Sequence, residues 1–413
     1  MDLLHPVAAG IDIHRDTLVV TIRKAEGSTR GWKETRTFGT FADDLQALVD
    51  WLNEHEVPLV AIESTGVMWK PVYRRLSAPG SRTVWLINPN HCKAVPGRKT
   101  DVKDSEWLAQ LVQFGLVMPS FVPDCAQMQL RELVRLRKQL VNDHSRQTNR
   151  IIRDLESHGI KLSSVLSDVM GKSGYAMVKA LLSGDKSPEQ IADLARGKLR
   201  SKRAQIIRAV SATLDATSRF TIGVKLALRE GLDEQLKALD AHIEQLLEPM
   251  RKQVEQLLEV PGLQRTIVAA LLAEIGPDMS VFRSADALAS WTGLSPGNCR
   301  SAGKNRDVGC RRGSHWVRIF LTQAAWAVSR SRKTFWGRKF ATLAARTGRK
   351  QAIVAIARKM LVVIYYMLRD GQPYRELGAS YTPPAQVTSR IRYHMTQLRQ
   401  LGIDISLTGP KAA

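Results

Sequence analysis

Between positions 126 and 157 the chain runs for 32 residues without a glycine or a proline, and Leu130, Leu133, Val134, Leu136, Leu140 and Val141 recur at helical spacing. Such a stretch reads as one long amphipathic helix, and it divides the sequence into two segments of different character. A second stretch, from about 224 to 258, carries a seam of Leu232, Leu236, Leu239, Ile243, Leu246 and Leu247 and is interrupted by Pro249 alone. Two long helices joined by a shorter helical segment predict an antiparallel coiled-coil arm or an oligomerisation element, with a plain helical bundle as the alternative. Between them Gly171-Lys172-Ser173 invites a phosphate-loop reading. That motif needs a glycine at position 166, which is Leu166, so the reading is rejected.

Ahead of Pro123, strand and helix signals alternate. The run Val7-Ala8-Ala9-Gly10-Ile11-Asp12-Ile13 turns at His14 to Asp16 and returns as Thr17-Leu18-Val19-Val20-Thr21-Ile22, which predicts two adjacent antiparallel strands. A third strand is expected over 34–38. Thr40 is then placed as the cap of a helix with Leu45, Leu48, Val49 and Leu52 on one face. Short buried strands follow at 59–62, ending in Glu63, and at 84–87, so this segment is a mixed α/β sheet. Asp12 falls inside the first strand. A carboxylate is a poor strand former and costly to bury unpaired, so Asp12 is either a metal ligand or an edge-strand charge, and this stretch alone leaves both open.

After position 260 the character changes again. Val260-Pro261-Gly262-Leu263, a helical run over 266–275 and then Gly276-Pro277 are similar to a helix-hairpin-helix, whose glycine turn presents backbone amides to a phosphate; an ordinary helical turn is the alternative. A Gly- and Arg-rich loop is expected over 293–313, then two helices, one through Trp326 and one over 353–368, and a loosely held tail from Pro383.

Charge bears on the partners. Lys and Arg number 61 against 39 Asp and Glu, a formal charge of +22, and nucleic acid is the partner that best accommodates it. The same balance fits ribosomal and membrane-surface proteins, so it does not specify chemistry. The four cysteines, at 92, 125, 299 and 310, lack C-x-x-C spacing and suggest free thiols in a reducing compartment. No signal peptide and no run of about 18 uninterrupted apolar residues is seen, which predicts a soluble, cytoplasmic protein with no membrane partner.

Four carboxylates of the first segment stand on its elements: Asp12 on a strand, Glu63 at a strand end, and Asp101 with Asp104 opening a helix three residues apart. Such a set can hold one or two Mg²⁺ or Mn²⁺ ions by carboxylate oxygens, and two such ions roughly 4 Å apart serve phosphodiester cleavage. Each acid has a plainer reading alone, Asp101 as a helix cap and Glu63 as a strand-end charge; together they favour the metal. Arg98 and Lys99 flank them and could steer a phosphate backbone, and Lys103 lies between the paired aspartates. His14 and His91 are read as polar loop residues.

Gly10-Ile11-Asp12, the run from Ile62 to Val67, the run from Gly97 to Asp104, the run from Ser290 to Asn298 and Ser301-Ala302-Gly303-Lys304 together resemble the DEDD transposases of bacterial insertion sequences, the group numbered 110 with its 1111 subgroup. The resemblance extends over nearly the whole chain, to about Gly378. It implies an α/β RNase H-like (RuvC-like) N-terminal domain over 1–124, an all-α coiled-coil region over 125–258, a mainly α C-terminal transposase domain over 259–380, and a tail over 381–413. It further implies catalytic acids at Asp12, Glu63, Asp101 and Asp104, a serine nucleophile, and a noncoding bridge RNA that selects donor and target DNA. The serine matching the pattern is Ser301, with Ser295 its nearest rival. Arg300, Lys304, Arg306, Arg311 and Arg312 surround Ser301 in sequence and would stabilise charge on phosphorus oxygens. Cys299-Arg300 stands where an acidic residue is more usual, which alters the local charge.

The sequence therefore predicts a DNA transposase in which the acids and Ser301 form a composite site, working as a dimer or tetramer because the serine can come from another subunit. Two readings of other kinds stay open: a metal-only nuclease of the Holliday-junction type, and a noncatalytic nucleic-acid-binding protein.

Overall fold

The computed structural model describes residues 3–25, 31–64, 66–78, 82–89, 92, 104–301, 304–310, 313–381 and 384–403, with the main chain alone for 297–301, 304–310 and 384–386. Backbone contacts divide the chain into two compact units, Met1–Pro123 and Asp124–Ala413.

In the first unit the elements run β1 (Val7–Ile13), β2 (Leu18–Lys24), β3 (Trp32–Phe38), α1 (Ala42–Glu54), β4 (Leu59–Glu63), α2 (Trp69–Leu76), β5 (Thr83–Ile87) and α3 (Asp104–Gln113). They form a five-stranded sheet of order β3-β2-β1-β4-β5. β1, β2 and β3 pair antiparallel, whereas β4 lies parallel to β1 and to β5. Strand alternation divides the apolar residues between two faces. Ile11, Ile13, Leu18, Val20 and Ile62 pack with Leu48, Trp51 and Leu52 of α1 and Val72 and Leu76 of α2. Ala8, Leu59, Ala61 and Ile87 pack on the other face with Leu108, Leu111 and Val112 of α3. The sheet is thus the middle of three layers. The cap of α1 is Phe41 rather than Thr40: the Phe41 amide donates to Asp44 Oδ2 at 3.1 Å, while Thr40 Oγ1 reaches the Arg15 carbonyl.

The second unit opens with α4 (Cys125–Ser157), capped by Asp124, whose carboxylate accepts from the Gln127 amide at 2.7 Å. It is one unbroken helix, as its composition requires. Its antiparallel mate is α9 (Ala216–Leu247), eight residues longer at its start than the seam from Val224 indicates, because capping Asp215 rather than hydrophobic periodicity sets the beginning. Side chains pair in opposite running order along the two helices: Arg137 with Asp240, Thr148 with Arg229, Asp154 with Lys225. Between them lie α5 (Leu162–Val165), α6 (Lys172–Ser183), α7 (Pro188–Ala192), a 3-10 turn (Gly197–Lys202) and α8 (Arg203–Ala209). These short helices share one apolar core with the ends of the long pair, including Ile151, Leu155, Met177, Ile206 and Ile222. Ser173, of the rejected phosphate loop, is buried in this core, and its hydroxyl accepts the Arg196 amide at 3.0 Å.

Beyond Pro249, a second helical group is built from α10 (Arg251–Leu258), α11 (Arg265–Ile275), α12 (Ala285–Trp291), α13 (His315–Ser329), α14 (Phe335–Thr347) and α15 (Arg349–Asp370). Between residue 313 and the tail, three helices stand where two were expected, α14 being the addition. Every residue of α11 from Ile267 to Ile275 is buried. At Glu274 this includes a carboxylate, held by two bonds from Arg135 of α4 at 2.7 and 3.0 Å. Gly262, at the turn likened to a helix-hairpin-helix, has φ +86°, and a Cβ there would lie 2.5 Å from Val328 and 2.9 Å from the Ala324 carbonyl. Close packing on α13 accounts for that glycine. α15 is the one helix, among the described residues, long and apolar enough to cross a membrane. Its Ile356, Met360, Leu361 and Ile364 are fully buried in this group. The tail is not formless: α16 (Pro384–Gln400) is helical, with Val387, Ile391 and Tyr393 exposed.

Candidate functional site

The acidic site is assembled by the sheet. β1 and β4 are parallel neighbours with Ile11 opposite Ile62, so Asp12 and Glu63, the next residue of each, come side by side at the strands' C-terminal ends. By strand alternation both belong to the face that carries Ala8 and Ala61, the face covered by α3. The ends of parallel strands are where α/β sheets gather ligand-binding groups. Asp12 lies near the end of β1 rather than at its centre, and its side chain is only 18% exposed.

Asp104 is the first residue of α3. That helix crosses β1 at Gly10, two residues before Asp12, so closely that a Cβ on Gly10 would lie 2.1 Å from the Ser105 carbonyl oxygen and 2.6 Å from the Ala109 nitrogen. Glycine in the motif Gly10-Ile11-Asp12 therefore serves close helix–sheet approach. The first turn of α3 is pinned by a buried bond of 2.7 Å between the hydroxyls of Ser105 and Thr21 on β2, and Thr21 also meets Thr35 of β3 at 2.9 Å. In the same turn, Glu106 accepts from Arg23 at 3.0 Å and from Lys33 at 2.8 Å. At the far end Gln113 donates to the Pro6 and Arg23 carbonyls. The helix carrying Asp104 is thus fixed along its length to the strands carrying Asp12.

His14 Nε2 lies 3.2 Å from Asp12 Oδ2, a contact that the sequence did not announce. The i, i+2 spacing across the strand end was its only signal. Asp101, Arg98, Lys99 and Lys103 lie outside the described residues. Among the described residues, no three His, Cys, Asp or Glu side chains are grouped closely enough to hold a metal ion. The acids placed are Asp12, Glu63 and Asp104, an all-oxygen donor set of the kind suited to Mg²⁺ or Mn²⁺ rather than to softer metals.

The second element is a ribbon. The segment expected as a loop forms two antiparallel strands, β6 (Pro296–Ser301) and β7 (Lys304–Cys310), which pair only with each other. Ser301 pairs with Lys304, Arg300 with Asn305 and Cys299 with Arg306, with a register irregularity between Pro296 and Asn298. Ser301 is the last paired residue of β6, two positions from its partner strand. Arg311 and Arg312 lie outside the described residues. The ribbon's base is closed by backbone: a Cβ at Gly313 would meet the Gly293 nitrogen at 2.2 Å and the Trp291 carbonyl at 2.5 Å, and the Ser314 amide donates to that carbonyl at 2.9 Å. Ser295 stands outside the ribbon, its amide bonded to the Ala289 carbonyl at 3.2 Å just past α12.

Comparison with known proteins matches each half of this description. Residues 9–160 fit the family model of the IS110-type DEDD transposase, and residues 254–341 that of the transposase IS116/IS110/IS902 family. An uncharacterized 42 kDa protein of insertion element IS900 from Mycobacterium paratuberculosis is 28% identical over 305 residues, 67% of this chain and 73% of its own length. The putative transposase y4pF/y4sB of Sinorhizobium fredii is 25% identical over 337 residues, 80% of this chain and 77% of its own. The pilin gene-inverting protein of Moraxella bovis is 32% identical over 149 residues, 34% of this chain and 45% of its own.

Proposed function

The chain belongs to the IS110/IS116/IS902 family of insertion-element transposases and acts on DNA as a transposase or recombinase; from that premise we propose that it exchanges DNA strands through a carboxylate site at Asp12, Glu63, Asp101 and Asp104 and a serine nucleophile, Ser301. The observation that carries the reading is the placement of Asp12 and Glu63 at adjacent parallel strand ends, under the helix that begins with Asp104. The strand order β3-β2-β1-β4-β5, antiparallel then parallel, supports an RNase H-like, RuvC-like fold for this unit.

Mg²⁺ bound there would supply Lewis-acid stabilisation of charge on the scissile phosphate. The chain's own residues do the rest. The carboxylates fix the position of that phosphate, and His14 orients Asp12. The Ser301 hydroxyl loses its proton and its oxygen attacks phosphorus. A Ser301–phosphorus bond forms while the bond to the 3′ oxygen breaks, leaving a 5′-phosphoserine and a 3′-hydroxyl that has taken up a proton. A 3′-hydroxyl of the other strand then attacks the phosphoserine, releasing Ser301 and closing the new phosphodiester, so no high-energy cofactor is needed. Arg300, Lys304, Arg306, Arg311 and Arg312, close to Ser301 in sequence, supply positive charge to its phosphate, as do Arg98, Lys99 and Lys103, close in sequence to Asp101 and Asp104. A noncoding bridge RNA chooses donor and target DNA, and the protein works as a dimer or tetramer.

The test is a protein–DNA adduct. Full-length protein incubated with element-end DNA, the matching RNA and Mg²⁺, then denatured, is expected to retain covalently bound DNA, and Ser301→Ala to retain none while Ser295→Ala still does. Cleavage that persists undiminished in Ser301→Ala would give the site to a metal-only nuclease instead.

A further inference from the structure

Neither family model covers residues 161–253, the part of the chain that closes the end of the helical arm. From Leu194 to Leu214 it contains six cations, Arg196, Lys198, Arg200, Lys202, Arg203 and Arg208, and no carboxylate. All six are exposed. Arg203 is engaged by Asp193 at 2.7 and 3.3 Å, and Lys202 donates to the Val165 carbonyl at 3.0 Å. The other four side chains make no ion pair with any described residue.

These cations stand on a rigid base. Ile206 is fully buried in the arm's apolar core, with Ala209 and Val210 beside it. The Arg196 amide is held by buried Ser173, and the Ala209 carbonyl by the Lys161 amide at 2.8 Å. Four uncompensated positive charges held on a fixed surface are a site for polyanion rather than a solvated charge run that averages its position.

The composition of the surface narrows the polyanion. No aromatic residue occurs from 194 to 214, so bases have nothing to stack on, which disfavours single strands. Contact is restricted to the phosphate backbone, as in sequence-independent duplex binding. The substrate of the family is DNA. Position agrees with this: the first half of α4 is bound to α11 through Gln127, Arg131 and Arg135, and its last turns, at Ile151 and Leu155, enter the core beneath the cations. Thirty-three helical residues span about 50 Å, so the cations stand roughly 15 base-pair steps away along the arm.

We propose that Arg196, Lys198, Arg200 and Arg208 grip the backbone of duplex DNA flanking the segment being exchanged, with the arm as the spacer. The proposal rests on the family's action on DNA and on neither the carboxylates nor Ser301, so a binding measurement tests it separately from the proposed chemistry. Full-length protein carrying Arg196→Ala, Lys198→Ala, Arg200→Ala and Arg208→Ala is titrated with a random-sequence DNA duplex of about 40 base pairs, and with the same sequence as an RNA duplex, at several salt concentrations. For DNA, binding at about 0.1 M salt is expected to weaken at least about tenfold, and the slope of log affinity against log salt to shrink by about 3 to 4. The RNA duplex should lose less than the DNA duplex, because its A-form geometry presents the phosphates differently from B-form DNA. A companion variant, Arg196→Lys, Arg200→Lys and Arg208→Lys, should keep the wild-type slope and establishes that charge, not folding, is responsible. Unchanged DNA affinity and slope, a loss on RNA as large as that on DNA, or a lysine variant that behaves like the alanine one would each overturn the proposal.

Discussion

Asp12 and Glu63 stand at the ends of neighbouring strands of a five-stranded sheet packed on both faces, whereas Ser301 ends a strand of a two-stranded ribbon that, among the described residues, pairs only with itself. The acids inherit their spacing from sheet register and from a helix pressed onto Gly10, so their relative positions are set by a packed core. The serine inherits its position from one ladder and from the Gly293–Gly313 closure at the ribbon's base. A two-stranded ribbon is marginal by itself, and its stability must come from that base. The difference suits the two proposed tasks. Carboxylates sharing a cation tolerate little displacement, while a nucleophile that becomes covalently bound to one strand and is released by another has to follow its phosphate.

The comparison can be broken most directly at the reacting groups. Asp12→Asn and Ser301→Ala are each expected to lower strand exchange by about 10³-fold or more, yet to differ in calorimetric titration with Mg²⁺: the first should weaken metal binding and the second leave it intact. Equal binding by both variants would remove Asp12 from the metal-holding role. Next come the two glycines. Gly10→Ala forces a Cβ against the backbone of α3 and should cost about 2–3 kcal/mol, read as a lower thermal midpoint. Gly313→Ala meets equally close backbone but at the ribbon's base, so it should reduce exchange by about tenfold while the midpoint falls by less than for Gly10→Ala. A larger stability loss at Gly313 would show that the ribbon is part of the core after all.

Thr21→Val is a finer probe of the sheet. It strands the buried Ser105 hydroxyl and should cost about 1–2 kcal/mol in chemical denaturation, and adding Ser105→Ala should recover part of that loss. No recovery would mean the pair contributes only its packing. The smallest effect is expected at His14, whose side chain is 59% exposed. An ion pair so open contributes about 1 kcal/mol at most, so His14→Ala should slow exchange by no more than about fivefold.

The sheet was legible because β1 and β2 are short, nearly continuous apolar runs either side of a polar turn, as strands buried on both faces must be. Glu63 could be placed because β4 is a short apolar run ending in a charge. The helix cap one residue beyond Thr40 was not legible, since Asp44 supplies the capping bond from inside the helix. The ribbon escaped because its strands contain no apolar alternation: Pro296-Gly297-Asn298-Cys299-Arg300-Ser301 has the composition of a loop, and only the backbone ladder makes it a strand. α14 was missed for a related reason: only Trp336, Gly337 and Phe340 of it are buried, so no long apolar stripe marks it in the sequence. Gly10 and Gly313 could be seen as glycines, but not what presses against them, because those contacts come from residues far away in sequence or across a fold that the string does not display.

Reach and facing are coupled in the ribbon. From Pro296 the strand advances about 3.4 Å per residue, which puts Ser301 about 17 Å from its start. Removing one residue from each strand would withdraw that end by about 3.4 Å and turn the terminal side chain to the opposite face, whereas removing two from each would withdraw it about 7 Å and restore the original face. If Ser301 is to keep both its facing and its place at the ribbon's end, the ribbon can therefore change length only by an even number of residues in each strand.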